Sequence, residues 1–261
     1  MDLKNNTILI TGGTSGIGFE LAKELHALGN TVIVTGRSQA KLHSAHRMLP
    51  GLHTVQSDAG DPAANEALFA KVTGDFPSLN ILINNAGIMR KIDLNDESKG
   101  FENLAREIEI NLTGPVQMAG RFLPHLRKQD RAAIVNVSSG LAFVPFPISP
   151  VYSATKAGLH SFTQSLRIQL KNTRVKVFEL APPGTETPLF YGDFSESDLE
   201  GVKPMPVADL VKHALDGLRK DVLEIRPGLS NVLMMMSRVA PQFILKQLSK
   251  SAENMLARAG H

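Results

Sequence analysis

A tyrosine and a lysine stand four residues apart in the segment Tyr152-Ser-Ala-Thr-Lys156 of this 261-residue chain. On a helix, this spacing places a phenol and an ammonium group on the same face. A phenol has a pKa of about 10, too high for ready proton exchange at neutral pH, and a neighbouring positive charge lowers that value. Ser139, thirteen residues before Tyr152, can donate a hydrogen bond to the same reacting oxygen. These three residues predict a site that moves a proton to or from an oxygen atom of a substrate.

A glycine-rich turn near residue 12 indicates what such a site would work with. Residues 7–11 have the pattern of a strand, and glycines at 12, 16 and 18 lead into a helical pattern that begins at Ile17. Glycines in this context let backbone N–H groups approach a pyrophosphate at the positive end of the helix. The turn therefore predicts a dinucleotide-binding site, with a purely structural turn as the alternative. The expected contacts are Gly12, Thr14, Ser15, Gly16, Ile17 and Gly18.

The end of the second predicted strand bears on which dinucleotide is bound. Folds of this kind that take NAD place a carboxylate here to hold the ribose 2′-hydroxyl. This chain has Arg37 and Ser38 instead, and a guanidinium can pair with a 2′-phosphate. NADP(H) is therefore favoured over NAD(H). The alternative interpretation is an exposed arginine that only leads into the next helix.

Strand-like and helical segments alternate along most of the chain. Short apolar runs between helices are typical of a parallel sheet covered on both faces. The predicted strands lie at residues 7–11, 31–35, 52–56, 81–83, 132–137, 175–180 and 222–225. The predicted helices lie at residues 17–28, 39–48, 63–72, 104–126 and 151–172. This order predicts an α/β fold, a Rossmann-type doubly wound sheet of seven parallel strands flanked by helices. We expect one domain over 1–261, with a core over about 1–225 and a C-terminal helical extension over 226–261.

Two segments fall outside this alternation. Residues 182–206 contain five prolines without clear periodicity, which is typical of a binding-site lid. In the extension, apolar residues at helical spacing continue on both sides of Pro241, a residue that suits the first turn of a second helix. The leading interpretation is a helix pair packed on the domain or on a partner subunit. A substrate lid and a peripheral membrane contact by residues 229–258 are the alternatives.

Composition and charge argue against several other classes of protein. The chain has no cysteine, which rules out thiol nucleophiles, disulfides and thiolate zinc sites. His43 and His46 have no third histidine or carboxylate beside them, so we expect no metal site. A net charge of +3 without Lys and Arg clustered among aromatic residues does not favour nucleic acid. The polar first residues do not resemble a signal peptide and no run of 18 apolar residues occurs, so we expect a cytoplasmic protein without a membrane span.

These motifs together resemble the short-chain dehydrogenase/reductase family, in order and in spacing, from residue 7 to about residue 190. The resemblance rests on Thr11-Gly12-x3-Gly16-x-Gly18, Asn84-Asn-Ala-Gly87, Asn111, Ser139, Tyr152 and Lys156. The opening segment, Ala181-Pro-Pro183 and residues 236–246 further resemble bacterial members of the DltE type. The implied fold is the doubly wound sheet described above, and the implied activity is hydride transfer between a nicotinamide and a carbonyl or alcohol.

The resemblance also implies roles for individual residues. Tyr152 would be the general acid/base, and Lys156 would lower its pKa and bind the nicotinamide ribose. Ser139 would hold the substrate oxygen, and Asn111 would position a water in a proton relay behind Lys156. Further cofactor contacts would come from Asp58 and Ala59 at the adenine, from Asn85, Ala86 and Gly87 along the cleft, and from Pro182, Thr185 and Thr187 beside the nicotinamide.

Two positions depart from the family pattern. Members usually have Pro-Gly after the sixth strand, whereas this chain has Pro182-Pro183 with Gly184 one place later. Pro183 has no N–H and a fixed φ, so this turn need not hold the nicotinamide in the usual way. Ser15 stands where many NADP-preferring relatives carry Lys or Arg. The preference for NADP therefore depends mainly on Arg37.

The predicted function is NADP(H)-dependent transfer of a hydride to or from a small molecule by a Ser-Tyr-Lys-Asn mechanism. Bulky side chains suggest an apolar substrate wall, with ordinary loop packing as the alternative. They are Leu141, Phe143, Phe146 and Phe190. The alternative function is a nonenzymatic, NADP-responsive binding or regulatory protein on the same fold. The resemblance also implies a homodimer or homotetramer built on the helices near 104–126 and 151–172.

Overall fold

The computed structural model describes residues 1–96, 102–195, 198–199 and 203–259. In this part of the chain, seven strands form one parallel sheet in the order β3-β2-β1-β4-β5-β6-β7. The strands are β1 Thr7–Ile10, β2 Thr31–Gly36, β3 His53–Gln56, β4 Leu79–Asn84, β5 Ala132–Val137, β6 Val175–Leu180 and β7 Glu224–Ile225. The seven-stranded parallel sheet predicted from the sequence is confirmed, although β7 is reduced to two residues.

The strands are apolar because helices cover both faces of the sheet. Every residue of β1, β4 and β5 is buried. Side chains alternate between the faces of a strand, so Ile8 and Ile10 join one layer of the core while Leu9 joins the other. The strand order reverses between β1 and β4. This reversal leaves a crevice outside the carboxyl ends of the strands, where folds of this kind bind ligands.

The two layers of helices follow from the same alternation. The helices are α1 Gly16–Ala27, α2 Gln39–Met48, α3 Pro62–Asp75, α4 Glu102–Ile108, α5 Gly114–Leu126, α6 Pro150–Gln169, α7 Val207–Arg219, α8 Leu229–Val239 and α9 Pro241–Ala259. Apolar side chains of α1, α2 and α7 pack with Ile8 and Ile10, and those of α3, α5 and α6 pack with Leu9.

The helix predicted over 104–126 is interrupted by a π-helical segment, Glu109–Thr113, between α4 and α5. A π-helical turn widens the helix locally and is frequent at functional sites. Asn111, one of the expected catalytic residues, lies in the middle of this segment and is buried.

Helix α7 is absent from the sequence prediction, although its pattern is amphipathic. Leu210, Val211, Ala214, Leu215 and Leu218 recur at spacings of three and four and are buried, and α7 packs against α1. The signal was therefore present in the sequence, next to the proline-rich segment that precedes it.

The C-terminal extension forms α8 and α9, which meet at Pro241 as the sequence predicted. Helix α8 packs on a short 3₁₀ turn, Gly140–Ala142, that follows β5. A Cβ atom added at Gly140 would lie 2.7 Å from Ser230 Oγ, so a residue without a side chain allows this approach. The extension therefore lies beside the carboxyl end of β5.

Candidate active site

A cavity of about 850 Å³ follows the carboxyl ends of the central strands, from the glycine turn to the C-terminal helices. Most of the residues expected from the sequence line it. They are Gly12, Thr14, Ser15, Gly16, Ile17, Arg37, Ser38, Asp58, Ala59, Asn85, Ala86, Gly87, Ser139, Leu141, Phe146, Tyr152, Lys156, Pro182, Thr185, Thr187 and Phe190. Gly18, Asn111 and Phe143 are not among the lining residues. The ring of Phe143 instead packs edge-on against His160, 5.1 Å between ring centres.

The glycine turn is held in shape by the segment that follows β4. The Thr11 hydroxyl accepts hydrogen bonds from the backbone N–H groups of Asn85 and Ala86, both at 3.0 Å. The Asn85 amide donates to the carbonyl oxygens of Thr11 and Gly12 at 3.0 and 3.1 Å. A Cβ at Gly18 would lie 2.5 Å from the Gly12 oxygen and would also collide with the Asn85 amide. Gly18 thus serves close packing rather than contact with a ligand.

The turn has the features that a pyrophosphate needs. Gly12 lines the cavity with a φ of +65°, and a Cβ there would lie 2.8 Å from Ala86 Cα, so this position of the turn requires a glycine. Helix α1 begins at Gly16, and the preceding Ser15 makes no side-chain capping hydrogen bond. The first N–H groups of a helix need partners from outside the helix and favour an anion. The residues present therefore fit the phosphates of a dinucleotide.

At the far end of the turn, several charged groups surround the expected adenosine position. Arg37 is exposed, and Lys41, which the sequence analysis did not select, lines the same part of the cavity. The Ser38 hydroxyl accepts a hydrogen bond from Lys41 N at 3.3 Å and so caps α2. Asp58 forms an ion pair with Arg106 of α4 and accepts a hydrogen bond from Gly60 N at 3.0 Å. The Asp58 carboxylate is thus held in place by the protein.

Ser139, Tyr152 and Lys156 come together at the carboxyl end of β5. Their exposed fractions are 7%, 7% and 3%. Lys156 Nζ donates a hydrogen bond to the Val137 carbonyl at 2.9 Å and lies 5.5 Å from the centre of the Tyr152 ring. The Ser139 hydroxyl accepts a hydrogen bond from Leu141 N at 3.1 Å. The site therefore presents a phenol, an ammonium and a hydroxyl on one wall of the cavity.

Burial is the main cause of the shifted pKa values of Tyr152 and Lys156. The pKa of Tyr152 is raised to about 12, mainly because the phenolate would lose its water, while hydrogen bonding with Ser139 lowers it and the charge of Glu107 raises it further. Burial lowers the pKa of Lys156 to about 8, against the opposing effect of Glu107 and Glu179. The sequence analysis expected Lys156 to lower the pKa of Tyr152. In the chain without cofactor, desolvation is the larger effect and the pKa rises, so the role of Lys156 stays a prediction for the complex with an oxidised nicotinamide, whose positive charge would add to that of Lys156.

Asn111 lies behind Lys156 and not on the cavity surface. Its side-chain oxygen accepts a hydrogen bond from Ile88 N at 2.9 Å, and its amide donates to the Ile88 carbonyl at 2.8 Å and to Thr155 Oγ1 at 3.2 Å. A Cβ at Gly87 would lie 3.3 Å from Asn111 Oδ1 and 3.6 Å from Lys156 Nζ. Asn111 and Lys156 therefore face the same side of Gly87.

A buried network that the sequence analysis did not predict supports the catalytic wall. Ser138 Oγ donates a hydrogen bond to Glu179 Oε1 at 2.5 Å, and His160 Nδ1 lies 2.8 Å from Glu179 Oε2. The Glu179 carboxylate raises the pKa of His160. In the sequence, the only available signal was that His160 stands one turn after Lys156, whereas its partner lies 19 residues away on β6.

The other end of the cavity is apolar and is built from three segments. Leu141 and Phe146 follow β5, Phe190 belongs to the proline-rich loop, and Leu233 and Leu248 come from the two C-terminal helices. Leu229 of α8 and Leu189, Phe194 and Leu199 of the loop also line it. Residues 196–197 and 200–202 of the predicted lid lie outside the described residues.

The described part of the proline-rich loop is anchored to the segment after β4. Lys91 Nζ forms an ion pair with Asp198 at 2.6 Å, and the Asp198 carboxylate is 3% exposed. Ser195 donates to the same carboxylate through its backbone N–H at 2.8 Å and its hydroxyl at 2.6 Å. These contacts hold the loop over the cavity.

Among the described residues, no group of three or more histidine, aspartate or glutamate side chains is placed to hold a metal ion. No helix in the same part of the chain combines the length and apolar character needed to cross a membrane.

Comparisons with known proteins agree with the fold and with the motifs. The family described as short chain dehydrogenase matches residues 6–197. The uncharacterized oxidoreductase DltE of Bacillus subtilis is 47% identical over 230 residues, which cover 86% of this chain and 89% of that protein.

Two solved structures are similar over most of their length. A short-chain dehydrogenase from Sphingobium yanoikuyae in complex with NADPH has a TM-score of 0.78 and 28% identity, over 86% of this chain and 88% of that one. The 3-ketoacyl-(acyl-carrier-protein) reductase from Brucella melitensis complexed with NADH has a TM-score of 0.75 and 28% identity, over 88% and 94%. The chain therefore belongs to the short-chain dehydrogenase/reductase family of oxidoreductases.

Proposed function

We propose that this chain is an NADP(H)-dependent oxidoreductase that interconverts a carbonyl and an alcohol on a small apolar molecule. The proposal depends mainly on one observation: Ser139, Tyr152 and Lys156 lie on the wall of a cavity whose other end is the glycine turn. Relatives that bind NADPH or NADH support a nicotinamide cofactor in that position. When bound, NADP(H) would supply or accept the hydride.

The residues of the chain would handle the proton and the substrate oxygen. Tyr152 donates its phenolic proton to the oxygen in the reduction, and Ser139 Oγ donates a hydrogen bond to the same atom. A phenol with a pKa of about 12 is protonated at neutral pH, so the proton is present for transfer, and the positive charges of Lys156 and of an oxidised nicotinamide would favour its release. The proton is replaced from the side of Lys156, where Nζ and Asn111 Oδ1 face Gly87.

The experiment that tests this assignment is Tyr152→Phe. General acid–base catalysis contributes roughly 10²–10⁴-fold, so turnover should fall by that factor. The measurement is oxidation of NADPH with a panel of ketones and aldehydes, and NADPH binding, followed by its fluorescence, should be unchanged. Wild-type turnover in this variant would remove Tyr152 from the mechanism.

The panel also separates the enzyme from the alternative, an NADP-responsive regulatory protein. The buried arrangement of Tyr152, Lys156 and Asn111 favours the enzyme, because a sensor has no need of a route for protons. If NADPH bound at micromolar concentration but no carbonyl or alcohol gave hydride transfer, the regulatory function would be the better proposal.

The preference for NADP over NAD is assigned to two cations, Arg37 and Lys41, at the expected position of the 2′-phosphate. Loss of one charge-assisted contact costs about 1.5–3 kcal/mol. Arg37→Ala and Lys41→Ala should therefore each weaken NADPH binding by roughly tenfold or more and leave NADH binding unchanged. The control is Arg47→Ala, because Arg47 is an exposed cation of α2, the helix of Lys41, and does not line the cavity. Equal losses for the two cofactors would contradict the assignment.

The assembly and the location of the protein stay predictions. We propose a homodimer or homotetramer, supported by Ile168 on α6, which is 67% exposed. A monomeric mass in light scattering at micromolar concentration would contradict this. Exposed apolar residues on α8 and α9 (Val232, Met235, Val239 and Phe243) are the reason to test the membrane-surface alternative with anionic vesicles at low and high salt. We also propose that the protein is cytoplasmic.

A further inference from the structure

Glu107 is a buried carboxylate for which the proposed mechanism has no use. It lies on α4 and is 0% exposed. Neither of its oxygens makes a hydrogen bond of ordinary geometry among the described residues, and the Arg90 backbone is the one group near enough to act on it as a weak donor. The preceding residue, Arg106, is by contrast paired with carboxylates, those of Asp58 and Glu109. Buried carboxylates without partners are rare, so Glu107 calls for an explanation.

The position of Glu107 places it next to the catalytic residues. It precedes Asn111 by four residues, and Asn111 is bound to Ile88 on one side and to Thr155 of α6 on the other. Helix α4 packs on α6, which carries Tyr152 and Lys156. The charged or titratable groups that act on Glu107 from the elements around it are Arg90, Asp193 and Lys156, and Glu107 acts in turn on Tyr152.

The chemistry of Glu107 follows from this burial. Loss of water raises its pKa to about 7, while the Arg90 backbone and the charges of Arg90 and Lys156 lower it and Asp193 raises it. The group therefore changes charge near neutral pH. Its negative form raises the pKa of both Tyr152 and Lys156.

We propose that Glu107 is a positioning residue of the active site whose gain or loss of a proton sets the pH range in which Tyr152 and Lys156 work. It acts through these two residues and touches neither substrate nor cofactor. Protonated Glu107 leaves Tyr152 the better proton donor. Ionised Glu107 makes Tyr152 hold its proton more tightly, so reduction slows as Glu107 ionises. The effect on turnover depends on the proposed function, but the titration itself does not.

The first test uses the protein without cofactor and needs no activity. Glutamate labelled with ¹³C at the side-chain carboxyl is followed by NMR from pH 4 to pH 9. We expect one resonance with a midpoint near pH 7, absent from Glu107→Gln and retained in Glu109→Gln. If no glutamate of the wild-type protein titrates near pH 7, the proposal is overturned whether or not the variants fold.

The second test observes Tyr152 directly. The chain has two tyrosines and no tryptophan, and Tyr191 is 54% exposed, so Tyr191→Phe leaves Tyr152 as the only phenol. In this background, ¹³C-labelled tyrosine reports the onset of ionisation while circular dichroism verifies the fold. Glu107→Gln should move that onset to lower pH by roughly 0.5–1 unit, as expected when a nearby negative charge is removed. No shift, or an equal shift in Glu109→Gln, would contradict the proposal.

The third test is the pH profile of reduction. Between pH 6 and pH 8 the wild-type rate should fall by roughly 2–5-fold, since a donor that holds its proton more tightly is the weaker acid. Glu107→Gln should lose the fall centred near pH 7 and keep only a change at higher pH from Lys156, whose pKa is about 8, and Glu109→Gln should keep the wild-type profile. A fall centred near pH 7 that is retained in Glu107→Gln would assign it to another group. Failure of the proposed function can be recognised separately, because Tyr152→Phe tests the role of Tyr152 without reference to Glu107.

Discussion

Two buried carboxylates act on Lys156 from different elements, Glu107 from α4 and Glu179 from β6, and their surroundings differ. Both are fully enclosed, with exposed fractions of 0% and 1%. Glu179 has a partner on each oxygen, Ser138 on one and His160 on the other. Glu107 has no partner of ordinary geometry on either oxygen among the described residues.

The difference shows how hydrogen bonds decide what a buried charge does. A satisfied carboxylate joins the elements that its partners occupy, and Glu179 in this way ties the end of β5 and helix α6 to β6. A carboxylate without strong hydrogen bonds acts on its neighbours mainly through its charge, and burial of that charge costs free energy. The same residue type is therefore structural in one place and sensitive to pH in the other.

The largest expected effect comes from Glu179→Leu. This change leaves the Ser138 hydroxyl and the half-buried His160 without their partner, and removal of one member of a buried network costs about 3–5 kcal/mol. The measurement is the free energy of unfolding in urea at pH 7. A loss below about 1 kcal/mol would show that Glu179 is not the structural member of the pair.

Glu107→Leu should stabilise the protein at high pH, whereas Glu179→Leu should destabilise it. Because burial raises the pKa of Glu107 from 4.5 to about 7, the folded protein binds more protons than the unfolded chain between these values. Stability of the wild type therefore falls as pH rises from about 4.5 through 7, by up to about 3 kcal/mol from this group. Unfolding of wild type and Glu107→Leu at pH 5 and pH 8 measures the difference, which should favour the variant at pH 8. A difference that is the same at both pH values would count against an ionising Glu107.

A smaller, pH-dependent effect is expected for His160→Gln. The pKa of His160 is raised by Glu179, so its charge contributes stability that is fully present below the unfolded pKa of about 6.5 and is lost as pH rises through the folded value. The variant should lose about 1–2 kcal/mol at pH 5.5 and less at pH 9. The measurement is the free energy of unfolding in urea at these two pH values. A larger loss at pH 9 would show that the protonated form of His160 is not the form that stabilises the protein.

The smallest effect is expected for Glu109→Gln. Its carboxylate pairs with Arg106 at 3.1 Å but is 47% exposed, and exposed ion pairs contribute about 0–1 kcal/mol. Thermal unfolding should change by no more than a degree or two. A larger change would mean that the pair of Glu109 with Arg106 contributes to the stability of the protein and that Glu109 is a poor control for Glu107.

Much of the fold could be predicted because it is encoded over a few residues. The bounds of β5 and β6 agree with the apolar runs 132–137 and 175–180, and the break between α8 and α9 falls at Pro241. Helix α7 was missed although its apolar residues recur at helical spacing, so this failure was one of interpretation and not of missing information.

Parts of the candidate site could be predicted for the same reason and other parts could not. The glycine turn and the spacing of Tyr152 and Lys156 are local, and the structure places them along one cavity. The sequence indicated a cation beside Tyr152 but not the burial that, in the chain without cofactor, raises its pKa to about 12, because the degree of burial depends on everything packed around the ring. Leu233 and Leu248 line the cavity only because the extension returns to β5.

The sequence by itself therefore determined the alternation of strands and helices, the glycine turn and the spacing of the proton-transferring residues, since each depends on neighbours within a turn or a strand. Only the tertiary structure decided that Glu179 meets His160 and Ser138, that Asp58 meets Arg106 and that Glu107 is enclosed without a hydrogen bond of ordinary geometry among the described residues. Desolvation and long-range hydrogen bonds set the charge of these groups, and both exist only after distant segments have packed together.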